Sequence, residues 1–159
     1  MDCTFETENG RFNYRVGAIV QNGRKLLFVR NPNEKKVSYY SVGGRVRFGE
    51  SAEDAMKREF KEETSFDCVI KRMFCIHENF FKNDEDIFYH EISLYFLIEP
   101  SEEVLAIKNG QTTKDGPQGE YLEWIDLDNS ENTVIHPDFF RTANFDDESL
   151  RHFVTIDYK

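Results

Sequence analysis

Basic residues are scarce in this chain: 20 Lys and Arg stand against 30 Asp and Glu, for a formal charge of −10 over 159 residues. That balance argues against a broad electrostatic footprint for DNA or RNA. It leaves room for a small polyanion received by a local cation cluster or a bound metal, which reverses the local field. Long apolar runs are also missing; none approaches the roughly 18 residues of a membrane span. The start, Met1-Asp2-Cys3-Thr4-Phe5-Glu6, lacks the basic head and apolar stretch of a secretory signal. Cysteines number three, Cys3, Cys68 and Cys75, with no short metal-binding spacing. They read as reduced thiols of a cytoplasmic protein, with Cys68 and Cys75 packed in strands. Repeats, low-complexity tracts and linkers are absent, so residues 1–159 read as a single domain. With 39% hydrophobic residues and 15 Phe, a core is well supplied.

Two β-rich runs within residues 14–30 flank Asn22-Gly23, the favoured type I′ pair, and predict a hairpin. Asn31-Pro32-Asn33 breaks the second run. Residues 37–42 predict a short strand, and residues 43–50, with glycines at 43, 44 and 49, a loop. A helix is expected over residues 51–64, with Ser51 as N-cap and Asp54 completing a capping box. Residues 66–81 and 87–99 read as long strands joined by a polar turn. The continuous run Leu94-Tyr95-Phe96-Leu97-Ile98 suggests a strand covered on both faces. Residues 100–119 read mostly as loop, 121–127 as a strand and 137–142 as a helix start with Pro at its first turn. Residues 149–158 fit either a terminal helix or a strand. The pattern as a whole points to α/β layers around a mixed sheet.

The helix over 51–64 carries an anomaly. At about 100° per residue, Ala52, Ala55, Met56 and Phe60 share one side with Glu59, Glu62 and Glu63. Three like charges on an inward side repel one another and are costly to desolvate unless paired or coordinated. A hard divalent cation with oxygen ligands relieves both costs. The alternative is a solvated acidic helix with Glu–Lys pairs, which the inward placement disfavours.

The loop and helix read Gly44-Arg45-Val46-Arg47-Phe48-Gly49-Glu50, seven further residues, then Arg58-Glu59-Phe60-Lys61-Glu62-Glu63-Thr64-Ser65-Phe66. Over these 23 residues the chain resembles the Nudix box, G-x5-E-x7-R-E-U-x-E-E-x-G-U, with U a bulky apolar residue. Ser65 replaces the final glycine, and Val42 stands where many members have Pro before the paired glycines. The resemblance implies a Nudix-type α/β/α sandwich with a central mixed β-sheet. It also implies Mg²⁺ or Mn²⁺ held against a diphosphate by Glu59, Glu62, Glu63, the Gly44 carbonyl and Glu50. Arg58 would pair with carboxylates and hold them in place. The proton acceptor is implied to be Glu59 or a distal carboxylate; Glu120, Glu123 and Asp115 are the candidates, and Glu120 is favoured.

On the substrate side, Arg45, Arg47 and Arg30 are candidate phosphate ligands. Phe80, Phe81, Phe88, Tyr89 and His90 cluster near one turn and offer rings for stacking, Phe80 and Tyr89 among them. The resemblance implies a metal-dependent hydrolase that cleaves a phosphoanhydride in a nucleoside diphosphate linked to another moiety. The partner is then a small diphosphate, with no nucleic acid or membrane partner and with a homodimer plausible. The competing reading is a non-catalytic nucleotide-sensing domain of the same type; a full set of box carboxylates disfavours it. An RNA-end processing enzyme is disfavoured by the acidic charge.

Overall fold

The computed structural model describes residues 1–34, 36–113 and 120–158. Its strands are β1 (Thr4–Thr7), β2 (Gly10–Asn22), β3 (Lys25–Arg30), β4 (Ser38–Ser41), β5 (Gly43–Arg45), β6 (Val69–Lys82), β7 (Phe88–Glu99), β8 (Gln111–Thr112), β9 (Tyr121–Asp126), β10 (Val134–His136) and β11 (Arg151–Asp157). The helices are α1 (Ala52–Thr64) and the short α2 (Glu102–Leu105), with 3-10 turns at Leu127–Asn129 and Asp138–Arg141.

The strands run in the order β10-β4-β3-β2-β7-β6-β11, with β9 beside β3. Parallel pairs (β2/β7, β6/β11, β4/β10) mix with antiparallel ones (β2/β3, β3/β4, β6/β7). β2 organises the sheet. One edge pairs with β7 from Arg11 to Val20; the other edge is shared in turn by β1, β5 and β3.

Alternation along the central strands divides their side chains between two cores. Val16, Ala18, Val20, Leu27, Val29, Phe96 and Ile98 meet Ala55, Met56 and Phe60 of α1. Ile19, Leu26, Phe28 and Leu97 point the opposite way and meet Phe139, Phe140 and Phe145. Both faces are therefore covered, which explains the unbroken apolar run at 94–98. The second cover is a 3-10 turn and its flanking coil, where the sequence predicts an α-helix start.

Other differences are local. The hairpin turn sits at Gly23-Arg24 because Asn22 pairs with Lys25. Gly23 alone takes a positive φ, +62°, the pattern of a II′ rather than a I′ turn. The predicted loop at 43–50 begins as a strand, since Gly43–Arg45 pairs with Arg15–Gly17. The ambiguous terminal segment is a strand, drawn into the sheet beside β6. At the start of α1, Ser51 Oγ accepts the Asp54 N–H at 3.1 Å and donates to Asp54 Oδ2 at 2.8 Å. This resembles a capping box, closed onto the hydroxyl rather than the backbone. No described helix is long and apolar enough to cross a membrane.

Candidate active site

α1 holds its buried residues, Ala55, Met56 and Phe60, against the sheet, and its carboxylates emerge along the border of that buried face. Arg58 is their hub. Its Nε and Nη2 grip Glu50 Oε1 and Oε2 at 2.7 and 2.9 Å. Its Nη1 donates to Glu59 Oε1 at 2.5 Å and Glu62 Oε2 at 3.3 Å, and Nη2 also reaches the Arg45 carbonyl at 3.0 Å. The guanidinium and the Arg47 N–H, 2.9 Å away, drive the Glu50 pKa down to about 2. Glu50 is thus a clasp between the loop and the helix.

Glu63 behaves differently. Its Oε2 accepts the Gly43 N–H at 2.9 Å. Part of the side chain touches the surface, but its carboxyl is enclosed, and burial pushes its pKa up to about 8. The fields of Glu59 and Glu120 add to the rise, and Arg15 opposes it. Glu120 is itself raised, by burial and then by Glu34. Glu120 lies near enough to Glu63 for its charge to add to the rise there. Glu123 is engaged elsewhere: Tyr39 donates to one oxygen at 3.0 Å and Arg30 lies 3.2 Å from the other. Asp115 lies outside the described residues.

Among the described residues, no three His, Cys, Asp or Glu side chains converge as a ready cation site. Glu59 and Glu62 turn to Arg58 instead, and Glu63 to a backbone N–H. The donor set nevertheless fits a hard divalent cation. All its members are oxygens, and the enclosed Glu63 carboxyl forms no ion pair with a described residue; only the more distant field of Arg15 opposes its charge. Gly44 leaves the necessary gap: a Cβ there would lie 2.4 Å from the Glu59 carboxyl. Only glycine lets backbone come this close.

A cleft of about 820 Å³ opens on the face of the sheet opposite α1, and Arg45, next to Gly44, lines it. Tyr89 and Phe81 line it too. Arg45 is only loosely engaged, 3.7 Å from Asp2, and its Nε is buried without a hydrogen bond. Three candidates lie elsewhere. Arg30 sits against Glu123 and over the Tyr121 ring; Arg47 pairs with Glu62 at 3.5 Å. Phe80 points to the opposite side of the sheet from Phe81 and stacks on His90 at 4.4 Å. The cleft also holds residues the sequence reading missed: Asn13, Arg15, His77, Asn79, Glu91 and Ser93. Their signal was present as polar residues at every second position of three strands.

The NUDIX domain model matches residues 11–145. The chain belongs to the Nudix hydrolase family. It is 28% identical over 115 residues to an ADP-ribose pyrophosphatase of Methanocaldococcus jannaschii, covering 72% of this chain and 62% of that protein. The chain thus spans less than two thirds of that relative. An uncharacterized Nudix hydrolase of Bacillus subtilis, YvcI, is 24% identical over 122 residues, covering 77% and 71%. In fold, a MutT protein from Bacillus halodurans superposes with a TM-score of 0.58 at 16% identity, covering 88% of this chain and 86% of that one. A Nudix hydrolase from Nitrosomonas europaea gives 0.59 at 10% identity, covering 96% and 81%. Nudix hydrolases generally use divalent metal ions.

Proposed function

We propose that this Nudix protein hydrolyses a phosphoanhydride bond in a nucleoside diphosphate linked to a second moiety, with Mg²⁺ or Mn²⁺. The observation that carries the reading is the close meeting of Gly44 with the Glu59 carboxyl, with the next residue, Arg45, lining the cleft. Glu59, Glu62, Glu63 and the Gly44 carbonyl would hold the cation. The cation would supply charge neutralisation at phosphorus and activation of water. Arg58 fixes the carboxylates of Glu50, Glu59 and Glu62 in place, so that little reorganisation is needed when charge develops. Arg45 and Arg15, at the cleft end nearest the box, neutralise phosphate oxygens. Glu120 takes the proton of the attacking water; burial raises its pKa, which makes it the stronger base.

The sensing alternative keeps binding and loses turnover. The full carboxylate set favours hydrolysis. The test is product release from a panel of nucleotides, nucleotide sugars and dinucleoside polyphosphates with Mg²⁺ or Mn²⁺. ADP-ribose joins the panel because the Methanocaldococcus relative is named for it. Turnover that a chelator abolishes, and that Glu63→Gln lowers at least 100-fold, supports the reading. Tight binding without turnover of any compound would favour the sensor.

A further inference from the structure

The strands that carry the cleft form cross-strand rows that follow the sheet register, and most members of these rows line it. Arg15, Ser93, His77 and Phe153 form the row nearest the box. The next row is Asn13, Glu91, Asn79 and Thr155; the third is Arg11, Tyr89, Phe81 and Asp157. Rows on one face of a strand are spaced by two residues, about 6.6 Å.

Burying a carboxylate is costly unless it is paired or bonded. Glu91 is 8% exposed and Asn13 only 1%. Asn13 Nδ2 donates to Glu91 Oε2 at 2.7 Å, and the Thr4 hydroxyl lies 2.7 Å from Asn13 Oδ1, which fixes the amide's orientation. Arg15 stands 3.8 Å from the same Glu91 oxygen, an ion pair too long for a hydrogen bond. Glu91 Oε1 has no hydrogen bond among the described residues, yet it is not one of the sealed unpaired atoms. One oxygen of a rigidly held carboxylate therefore opens on the cleft, with only acceptor capacity to offer.

We propose that Glu91, oriented by Asn13, is the specificity-determining acceptor for the vicinal hydroxyls of a ribose carried by the diphosphate. The inference rests on the hydrolase reading, which puts phosphates beside Gly44, Arg45 and Arg15. The Arg15 row adjoins the box directly, since Arg15 pairs with Arg45 and Gly17 with Gly43. One row further along, the sugar meets Glu91 and Asn79. The next row offers the stacked Phe81 and Tyr89 rings, 4.9 Å apart, at the distance of the base. Phosphate, sugar and ring thus meet cation, acceptor and aromatic group in the order a ribonucleotide presents them. A carboxylate at the second station accepts from two hydroxyls and rejects a phosphorylated sugar.

The test is calorimetric binding of ADP and GDP, of their 2′-deoxy counterparts, and of inorganic pyrophosphate, each with Mg²⁺. The native protein is expected to bind both ribose forms about ten-fold tighter than the deoxy forms, the scale of one charge-assisted hydrogen bond. Glu91→Gln should shrink that ratio to two-fold or less, with pyrophosphate binding not weakened, since Arg15 loses a competing carboxylate, and with a cooperative melt retained. Equal affinity of the native protein for ribose and deoxyribose forms overturns the proposal without recourse to any variant. So does a preference that depends on the base, or one that survives in Glu91→Gln. Binding of pyrophosphate but of neither nucleotide overturns it too. Failure to bind even pyrophosphate counts against the hydrolase reading itself.

Discussion

Arg58 holds Glu50 through two near-parallel hydrogen bonds of 2.7 and 2.9 Å, and so ties the loop to the helix that follows it. The same guanidinium keeps contact with Glu59 and Glu62, so one residue sets the geometry of three carboxylates. Lysine carries the charge but cannot span the fork. Arg58→Lys is expected to cost about 1.5–3 kcal/mol of stability, the range for hydrogen bonds to charged groups, and at least ten-fold in kcat. Urea midpoints for Arg58→Lys, Glu50→Gln and the double variant measure the coupling. Additive effects would mean the two residues act independently. Glu50 also has a pH signature. Its folded pKa of about 2 lies below the ordinary 4.5, so its contribution is present above pH 4.5 and fades as pH falls towards 2.

Ser65 ends α1 with φ 73° and ψ 2°, a left-handed conformation, while its N–H bonds the Lys61 carbonyl at 2.9 Å. A side chain at this position is strained, and glycine is not. Ser65→Gly should therefore stabilise the protein by about 1 kcal/mol, or roughly 2–4 °C in melting temperature. Turnover should be unchanged, because Ser65 contacts none of the carboxylates. A lower melting temperature would show that the serine side chain contributes something the backbone geometry does not.

Glu63 makes cation binding and pH interdependent. Its folded pKa, about 8, lies above the ordinary 4.5. The folded protein therefore binds more protons between those values, and the stability owed to Glu63 is full below pH 4.5 and lost as pH rises through 8. A divalent cation supplies the missing positive charge and displaces the proton. The melting temperature should rise more with Mn²⁺ or Mg²⁺ at pH 8 than at pH 5.5, by several degrees at saturation. Glu63→Gln should flatten the difference. Equal metal shifts at both pH values would take Glu63 out of the cation site.

The placement of the box residues was legible because it depends on spacing within one helix and its preceding loop. Glu59, Glu62 and Glu63 fall on the inward side by periodicity alone, and the helix packs that way. Arg58 as carboxylate clamp followed from its fork. The cleft was not legible, because it is assembled by strand register. Glu91 meets Asn13 across 78 positions of chain, and neither residue announces the other. Phe80 and Tyr89 looked equivalent in a cluster of rings, but alternation sends them to opposite faces. The second helix was misjudged because Pro137 starts a helical turn well, while Phe139, Phe140 and Phe145 need a coil to reach the sheet together.

His77 gives the cleft wall its own acid limit. The residue is 2% exposed, with Nε2 at 2.9 Å from Thr155 Oγ1 and the ring in a T-shaped contact with Phe139. Burial pushes its pKa down to about 4 from 6.5. A depressed folded value means that the unfolded chain takes up the proton first. The stabilisation from neutral His77 is therefore whole above pH 6.5 and is lost as pH falls to 4, on the order of 3 kcal/mol in all. His77→Gln keeps a hydrogen-bonding group for Thr155 but cannot titrate. Urea midpoints at pH 7, 5.5 and 4 should fall more steeply for the native protein than for His77→Gln, with Glu50 common to both. Parallel curves would show that His77 is protonated in the folded state, and that the cleft wall tolerates charge where its packing says it does not.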